Sequence, residues 1–229
     1  MNDFFLFAIF PYLSMGIFFL VTIQRYRQRT FTYSSLSSQF LENKHHFWGS
    51  VPFHYGILFV LAGHVGAFLV PKTILSWNSA PLRMFLLEVT GLAFALLALV
   101  GLLNIVIRRW NNLRTRTVTT WSDWGVYLLL AIQVLSGISI AVFNGWGSSW
   151  FAASAAPWLW SLVRLNPDVS FVAPLPFMVK LHIINAFLLI GFFPFTRLVH
   201  VLVLPNPYLW RKTQVVLWNW NRFRIRKPQ

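Results

Sequence analysis

Residues 51–70 read VPFHYGILFVLAGHVGAFLV, and the reading of this run decides the fold. It holds no Lys, Arg, Asp or Glu, and at about 1.5 Å of rise per residue a helix of this length crosses the roughly 30 Å of a bilayer's hydrocarbon. Yet it carries His54 and His64. Ionisable groups inside a span are costly and mark function by default. Four more apolar runs of comparable length lie near 4–23, 84–107, 124–144 and 177–204, and the last holds His182 and His200. The whole chain agrees with its parts. Of 229 residues, 57% are hydrophobic and 10% charged, against about 25% charged in a soluble domain. The expectation is an all-α integral membrane protein, a bundle of five transmembrane helices forming one membrane domain over 1–229, with no internal repeat and no soluble domain.

The chain has 19 Lys and Arg against 5 Asp and Glu, a formal charge of +14. Basic nucleic-acid binders are rarely this apolar, so no nucleic-acid partner is expected; the positions of the charges explain them better. Fifteen of the nineteen cations fall in the connections after the first and third runs or in the C-terminal region, including Arg25, Arg27, Arg29, Lys44, Arg108, Arg109, Arg114, Arg116 and Arg197. Only Lys72, Arg83, Arg164 and Lys180 fall on the other side. Lys and Arg collect in cytoplasmic loops, so the N-terminus is expected outside and the C-terminus in the cytoplasm. The first run lacks a basic leading segment and a small-residue cleavage site, which predicts a retained span rather than a secretory signal. All twelve tryptophans lie in connections or at span edges, where the headgroup layer suits an amphipathic ring. Residues 145–176 carry four of them and read as an outer loop with a short helix lying in the interface.

Six histidines are present. His45 and His46 sit in a polar connection and read as solvated. The other four lie in two spans that must run antiparallel, so His54 faces the level of His200 and His64 the level of His182. The intervals of ten and eighteen residues correspond to roughly 15 Å and 27 Å of helix, a mean near 21 Å, at which two porphyrins stack through a membrane without clashing. A kink at Pro194, one turn after Gly191, is expected to absorb the mismatch. Eighteen residues are five whole turns, placing His182 and His200 on one face; ten residues leave His54 and His64 about 80° apart. Gly56, Gly63 and Gly66 offer room for a flat macrocycle, although glycine also serves helix packing.

Other ligands fit less well. One tetrahedral zinc or copper site cannot gather imidazoles spread over about 15 Å. A proton relay would need acids, and Glu88 alone lies in a span interior. The chain has no cysteine, which removes thiolate ligands, iron–sulfur clusters and covalently attached haem. Axial ligation of two b-type haems uses all four histidines; proton relay and plain core histidines remain as alternatives.

Three segments carry a resemblance: SSQFL at 37–41, FHYGILFVLAGH at 53–64 and FPFTRLVH at 193–200. They resemble the gamma subunit, the membrane cytochrome b subunit, of respiratory nitrate reductase. The resemblance runs from the first span through Lys212 and is weakest in the outer loop. It implies a five-helix anchor in the inner (plasma) membrane with two b haems, which oxidises quinol near the outer face and passes electrons to an iron–sulfur beta subunit and a molybdenum alpha subunit on the cytoplasmic side. Carried over, His54 and His200 hold the inner haem, His64 and His182 the outer one, and Gly63 and His64 border the quinol pocket. The family has a lysine at the start of its third span; the aligned position here is Met84, and the adjacent Arg83 is the candidate cation, equally readable as an interfacial anchor. Arg108, Arg109 and Arg197 are candidates for haem propionates, with positive-inside charge as the plainer reading. The basic tail 208–229, with Trp218, Trp220 and Phe223, is the expected docking element, or else a helix lying on anionic lipid. Alternatives are a haem b subunit of another quinone-linked complex (nitrite-oxidising, sulfite-reductase-linked or heterodisulfide-reductase-like) and a haem-free structural or proton-conducting protein.

Overall fold

The computed structural model describes residues 3–28 and 44–203. The motif at 37–41, the side chains of His45 and His46, and the basic tail at 208–229 lie outside the described residues. The described chain is helical, and five helices are long and apolar enough to cross a membrane.

A π turn, Phe5–Ile9, leads into α1, Phe10–Gln28. Then follow α2, Lys44–Leu69, the short α3, Pro71–Asn78, and α4, Pro81–Asn111. Pro71 and Pro81 open α3 and α4, where proline's missing N–H is no loss and its fixed φ already suits a helix. The short α5, Leu113–Thr117, is capped by the Asn112 side chain. In α6, Trp121–Phe143, Thr120 and Asp123 form a reciprocal capping box, which satisfies two otherwise orphaned N–H groups. After α7, Gly147–Trp150, a π turn at Phe151–Ala155 and α8, Ala156–Val163, the last span begins as α9, Phe177–Phe192.

Helices α2 and α4 make the closest pair. A Cβ on Gly56 would lie 2.5 Å from the Ala98 nitrogen, and one on Gly101 would strike the Phe53 backbone. Backbones approach this closely only where side chains are missing; Gly56 therefore serves helix packing and not a cofactor. The sequence of neighbours runs α2, α4, α6, α9, α1. Helices α2 and α9 face one another without packing along their length, and this gap holds the site.

Two features differ from expectation. Residues 145–176 form a folded cap in which α7, the π turn and α8 run on from one another, and Trp158 is 1% exposed, packed with Phe7, Leu162, Val172 and Phe187. Its indole N–H donates to the Phe7 carbonyl at 3.0 Å, and Tyr12 of α1 donates to the Leu162 carbonyl at 2.9 Å. Trp158 is thus a core residue and not a headgroup anchor, because the segment folds back onto α1 and gives the indole an acceptor indoors.

The second is the last span, which breaks instead of bending. Helix α9 stops at Phe192, a 3₁₀ turn covers Phe193–Phe195, Thr196 is extended at φ −119°, ψ 177°, and a second 3₁₀ segment runs Arg197–Val203. Proline removes a helical donor and crowds the preceding turn, and Thr196 completes the break: its hydroxyl donates to the Phe193 carbonyl and accepts the Leu198 N–H. The whole-turn argument that set His182 and His200 on one helix face therefore does not apply, since no single helix joins them.

Candidate functional site

The break reorients the chain so that two pairs of imidazoles meet across the α2–α9 gap. The ring centres of His54 and His200 are 6.3 Å apart, and those of His64 and His182 are also 6.3 Å apart. The unequal intervals, ten residues in α2 and eighteen in the last span, thus end in equal separations. An imidazole nitrogen sits about 2 Å from a first-row metal and about 1 Å from its own ring centre, so two imidazoles trans on one metal have centres about 6 Å apart.

Protonation supports the same geometry. His54 Nδ1 lies 2.7 Å from the Ser50 carbonyl, His64 Nδ1 2.8 Å from the Val60 carbonyl, and His200 Nδ1 2.6 Å from the Arg197 carbonyl. A carbonyl only accepts, so each Nδ1 carries the proton and each Nε2 keeps its lone pair. Hydrogen bonding of the remote ring nitrogen is what fixes a ligating histidine's tautomer and orientation.

His182 is held differently. The Ser136 hydroxyl donates to the Ile132 carbonyl at 2.6 Å, so at 2.9 Å it accepts from His182 Nδ1. The Gln133 amide nitrogen lies 3.0 Å from His182 Nε2 and 3.3 Å from Nδ1, and Asn185 donates to Gln133 Oε1 at 2.7 Å. A Cβ on Gly137 would lie 3.1 Å from the ring's Cε1. Gln133, Ser136 and Gly137, spaced i, i+3 and i+4, share one face of α6. Sequence reasoning passed over this set; its signal was an amide and a hydroxyl on one stripe of an otherwise apolar span.

Outside the pairs, Phe151 of the cap packs its ring 5.3 Å from His64. A Cβ on Gly63 or Gly66 would meet nothing within 4 Å, so neither is needed for helix packing as Gly56 is. Arg83 turns its guanidinium over Trp77, at 5.2 Å, and toward Ser79. Glu88 accepts from the Ser148 N–H and hydroxyl, an anion at the start of α7 where the helix dipole favours one. Among the described residues no three His, Cys, Asp or Glu side chains gather as a metal-binding group.

A family model described as nitrate reductase gamma subunit matches residues 3–219. The chain belongs to the nitrate reductase gamma subunit family. It is 33% identical to the nitrate reductase gamma chain of Bacillus subtilis over 90% of this chain and 94% of that one. With the respiratory nitrate reductase 2 gamma chain of Escherichia coli it shares 31% identity over 93% of this chain and 95% of the other. The respiratory nitrate reductase 1 gamma chain of the same organism is 30% identical, over 93% of this chain and 96% of its own length.

At the opposite end from Phe151, cations of this gamma-subunit chain secure the broken span. Arg25 of α1 donates to the Pro194 carbonyl at 2.6 Å and the Thr196 carbonyl at 3.0 Å, both at the helix break. Arg197 pairs with Asp123 at 3.1 Å and donates to the Val118 carbonyl at 2.8 Å. His200, three residues on, is thereby tied to α1 and α6. Arg109 donates to Thr119 at 2.9 Å, and its Nε is buried without a partner.

Proposed function

We propose that this chain is the di-haem, quinol-oxidising membrane anchor of a respiratory nitrate reductase, with His54, His64, His182 and His200 as the residues that would hold the haems. The observation that carries this reading is the equal 6.3 Å spacing of two imidazole pairs across the α2–α9 gap. His54 and His200 would hold the inner haem, His64 and His182 the outer. When bound, such haems supply one-electron transfer, tuned by burial and by hydrogen bonds to the ligands.

The chain's own residues bind, orient and exclude. Backbone carbonyls hold the Nδ1 protons of His54, His64 and His200, so each Nε2 faces the gap. Gly63 and His64 would border the quinol pocket; Arg83, at the start of α4, would offer a cation to a quinone oxygen. Phe151 of the cap packs against the His64 ring and would border the same pocket. The orphaned Nε of Arg109 is a donor suited to a haem propionate, with Arg108 and Arg197 as the further candidates.

In the membrane the N-terminus would face outward and the C-terminus the cytoplasm, in the plasma (inner) membrane, as the distribution of the cations supports. A quinol bound near the outer end would leave its two protons on that side, and the haems held by the histidine pairs would supply the one-electron chemistry for its two electrons. The polypeptide would form a single di-haem domain over 1–229 whose basic face and tail, 208–229, dock the iron–sulfur beta and molybdenum alpha subunits.

Purification of the complex and a reduced-minus-oxidised spectrum test this reading. Two b-type contributions are expected, with one lost in His54→Ala and the other in His64→Ala. A stable, colourless complex would end it.

A further inference from the structure

The two imidazole pairs are not held alike. Three of the four rings give their Nδ1 proton to a carbonyl of the preceding turn, which no side-chain substitution removes. His182 gives it to a side chain of a neighbouring helix, Ser136, at 2.9 Å, whereas the one other hydroxyl near an Nδ1 of the four, Ser50 at 3.4 Å from His54, belongs to the same helix and lies farther off than the Ser50 carbonyl at 2.7 Å. Ser136 is 5% exposed and Asn185 2% exposed, so water does not compete with these contacts, and in a low-dielectric interior such bonds act at close to full strength.

The orientation of each group is determined. Ser136's single hydrogen goes to the Ile132 carbonyl, so its oxygen can only accept from the ring. Asn185 donates to both the Leu129 carbonyl and Gln133 Oε1, which brings the Gln133 NH₂ over the face of the ring, 3.0 Å from Nε2 and 3.3 Å from Nδ1. A hydroxyl oxygen is a weaker acceptor than a peptide carbonyl, and an amide N–H brings partial positive charge to the ring. Both effects lower the electron density that His182 can supply to a metal, relative to the other three histidines.

We infer that Ser136 and Gln133, the latter locked by Asn185, are positioning residues that set the electron-donor strength of His182 and so the redox potential of the outer haem independently of the inner one. This rests on the di-haem reading above. Removing the acceptor in Ser136→Ala leaves the imidazole a poorer donor, less able to stabilise oxidised iron, and the outer couple's midpoint moves upward. Removing the amide in Gln133→Leu withdraws positive charge, and the same couple moves downward. Ser136→Thr keeps the hydroxyl and keeps the midpoint.

The experiment is a spectroscopic redox titration of each variant, as the intact complex in lipid nanodiscs. His64→Ala identifies which couple is the outer one, and low-temperature paramagnetic resonance of the oxidised haems reports ligand orientation. Expected are opposite shifts of the outer couple in Ser136→Ala and Gln133→Leu, an altered outer-haem resonance in the former, an unmoved inner couple, and restoration in Ser136→Thr. Loss of the outer haem in Ser136→Ala with retention in Ser136→Thr carries the same meaning. The inference is overturned if neither couple moves, if both move together, if the two variants shift alike, or if Ser136→Thr behaves as Ser136→Ala. Absence of any haem from the unaltered complex strikes the di-haem reading itself, a result distinct from all of these.

Discussion

The two ends of the α2–α9 gap reach the same spacing by different means. At the His54–His200 end the chain is broken, and cations hold the pieces: Arg25 on the Pro194 and Thr196 carbonyls, Arg197 on Asp123. At the His64–His182 end α9 is regular, and polar side chains of α6 seat one ring. An imidazole in a membrane bundle can thus be placed by backbone geometry fixed by a few charges, or by a side-chain socket. The first kind fails by moving a whole segment, the second by turning one ring.

The largest effect should come from the seam both ends share. Gly101→Leu forces a side chain into the Phe53 backbone, and overpacking a close helix pair should abolish assembly of both pairs, read as loss of all haem absorbance and of the folded monomer in detergent. Next comes Trp158→Ala. A buried tryptophan truncated to alanine costs about 3–5 kcal/mol, and the loss should fall on the cap, seen as faster proteolysis at 145–176 while the His54–His200 pair stays intact.

Arg25→Ala should sharpen the contrast in the other direction. It removes two charge-assisted bonds worth about 1.5–3 kcal/mol each, and under the proposed di-haem function should weaken haem retention at the His54–His200 pair with the His64–His182 pair unchanged, measured as stoichiometry after a mild detergent wash. Equal losses at both sites would contradict the division. Gly137→Ala is smaller: a Cβ 3.1 Å from the His182 ring must push it by a few tenths of an ångström, altering the outer haem's resonance without loss of the haem.

The smallest effect concerns neither end. Asp168 caps the turn Val169–Phe171, and donation from the Ser170 side chain and backbone holds its carboxyl below the usual value. A carboxyl lowered on folding contributes stability above its unfolded value and loses it as pH falls through the folded one. Acidification should therefore loosen only this turn, in hydrogen exchange at 168–172, and Asp168→Asn should flatten the response.

Much of this was legible in the chain. Uninterrupted apolar runs have one solution in a bilayer, a helix satisfying its own backbone, so five spans follow from composition and length. The antiparallel order of spans two and five likewise follows from counting crossings, and it sets which histidines share a level. The family resemblance rests on segments such as 53–64 and 193–200, where residue identity and spacing are both informative. Less could be seen of the outer connection, because tryptophan looks alike in sequence whether it floats at a headgroup or fills a core; only its packing on Phe7 distinguishes the two.

Hydrophobicity and covalent order alone set the number of spans, their order, and the placing of His54, His64 and His182 inside them, with His200 just beyond the last. Tertiary structure decided how unequal intervals of ten and eighteen residues end in equal 6.3 Å separations. It did so by breaking the last span at Pro194 and Thr196 and by pinning the pieces to α1 and α6. A helix carries its geometry in local periodicity, whereas a break has no period, and its direction follows from the distant donors that reach its carbonyls, here Arg25.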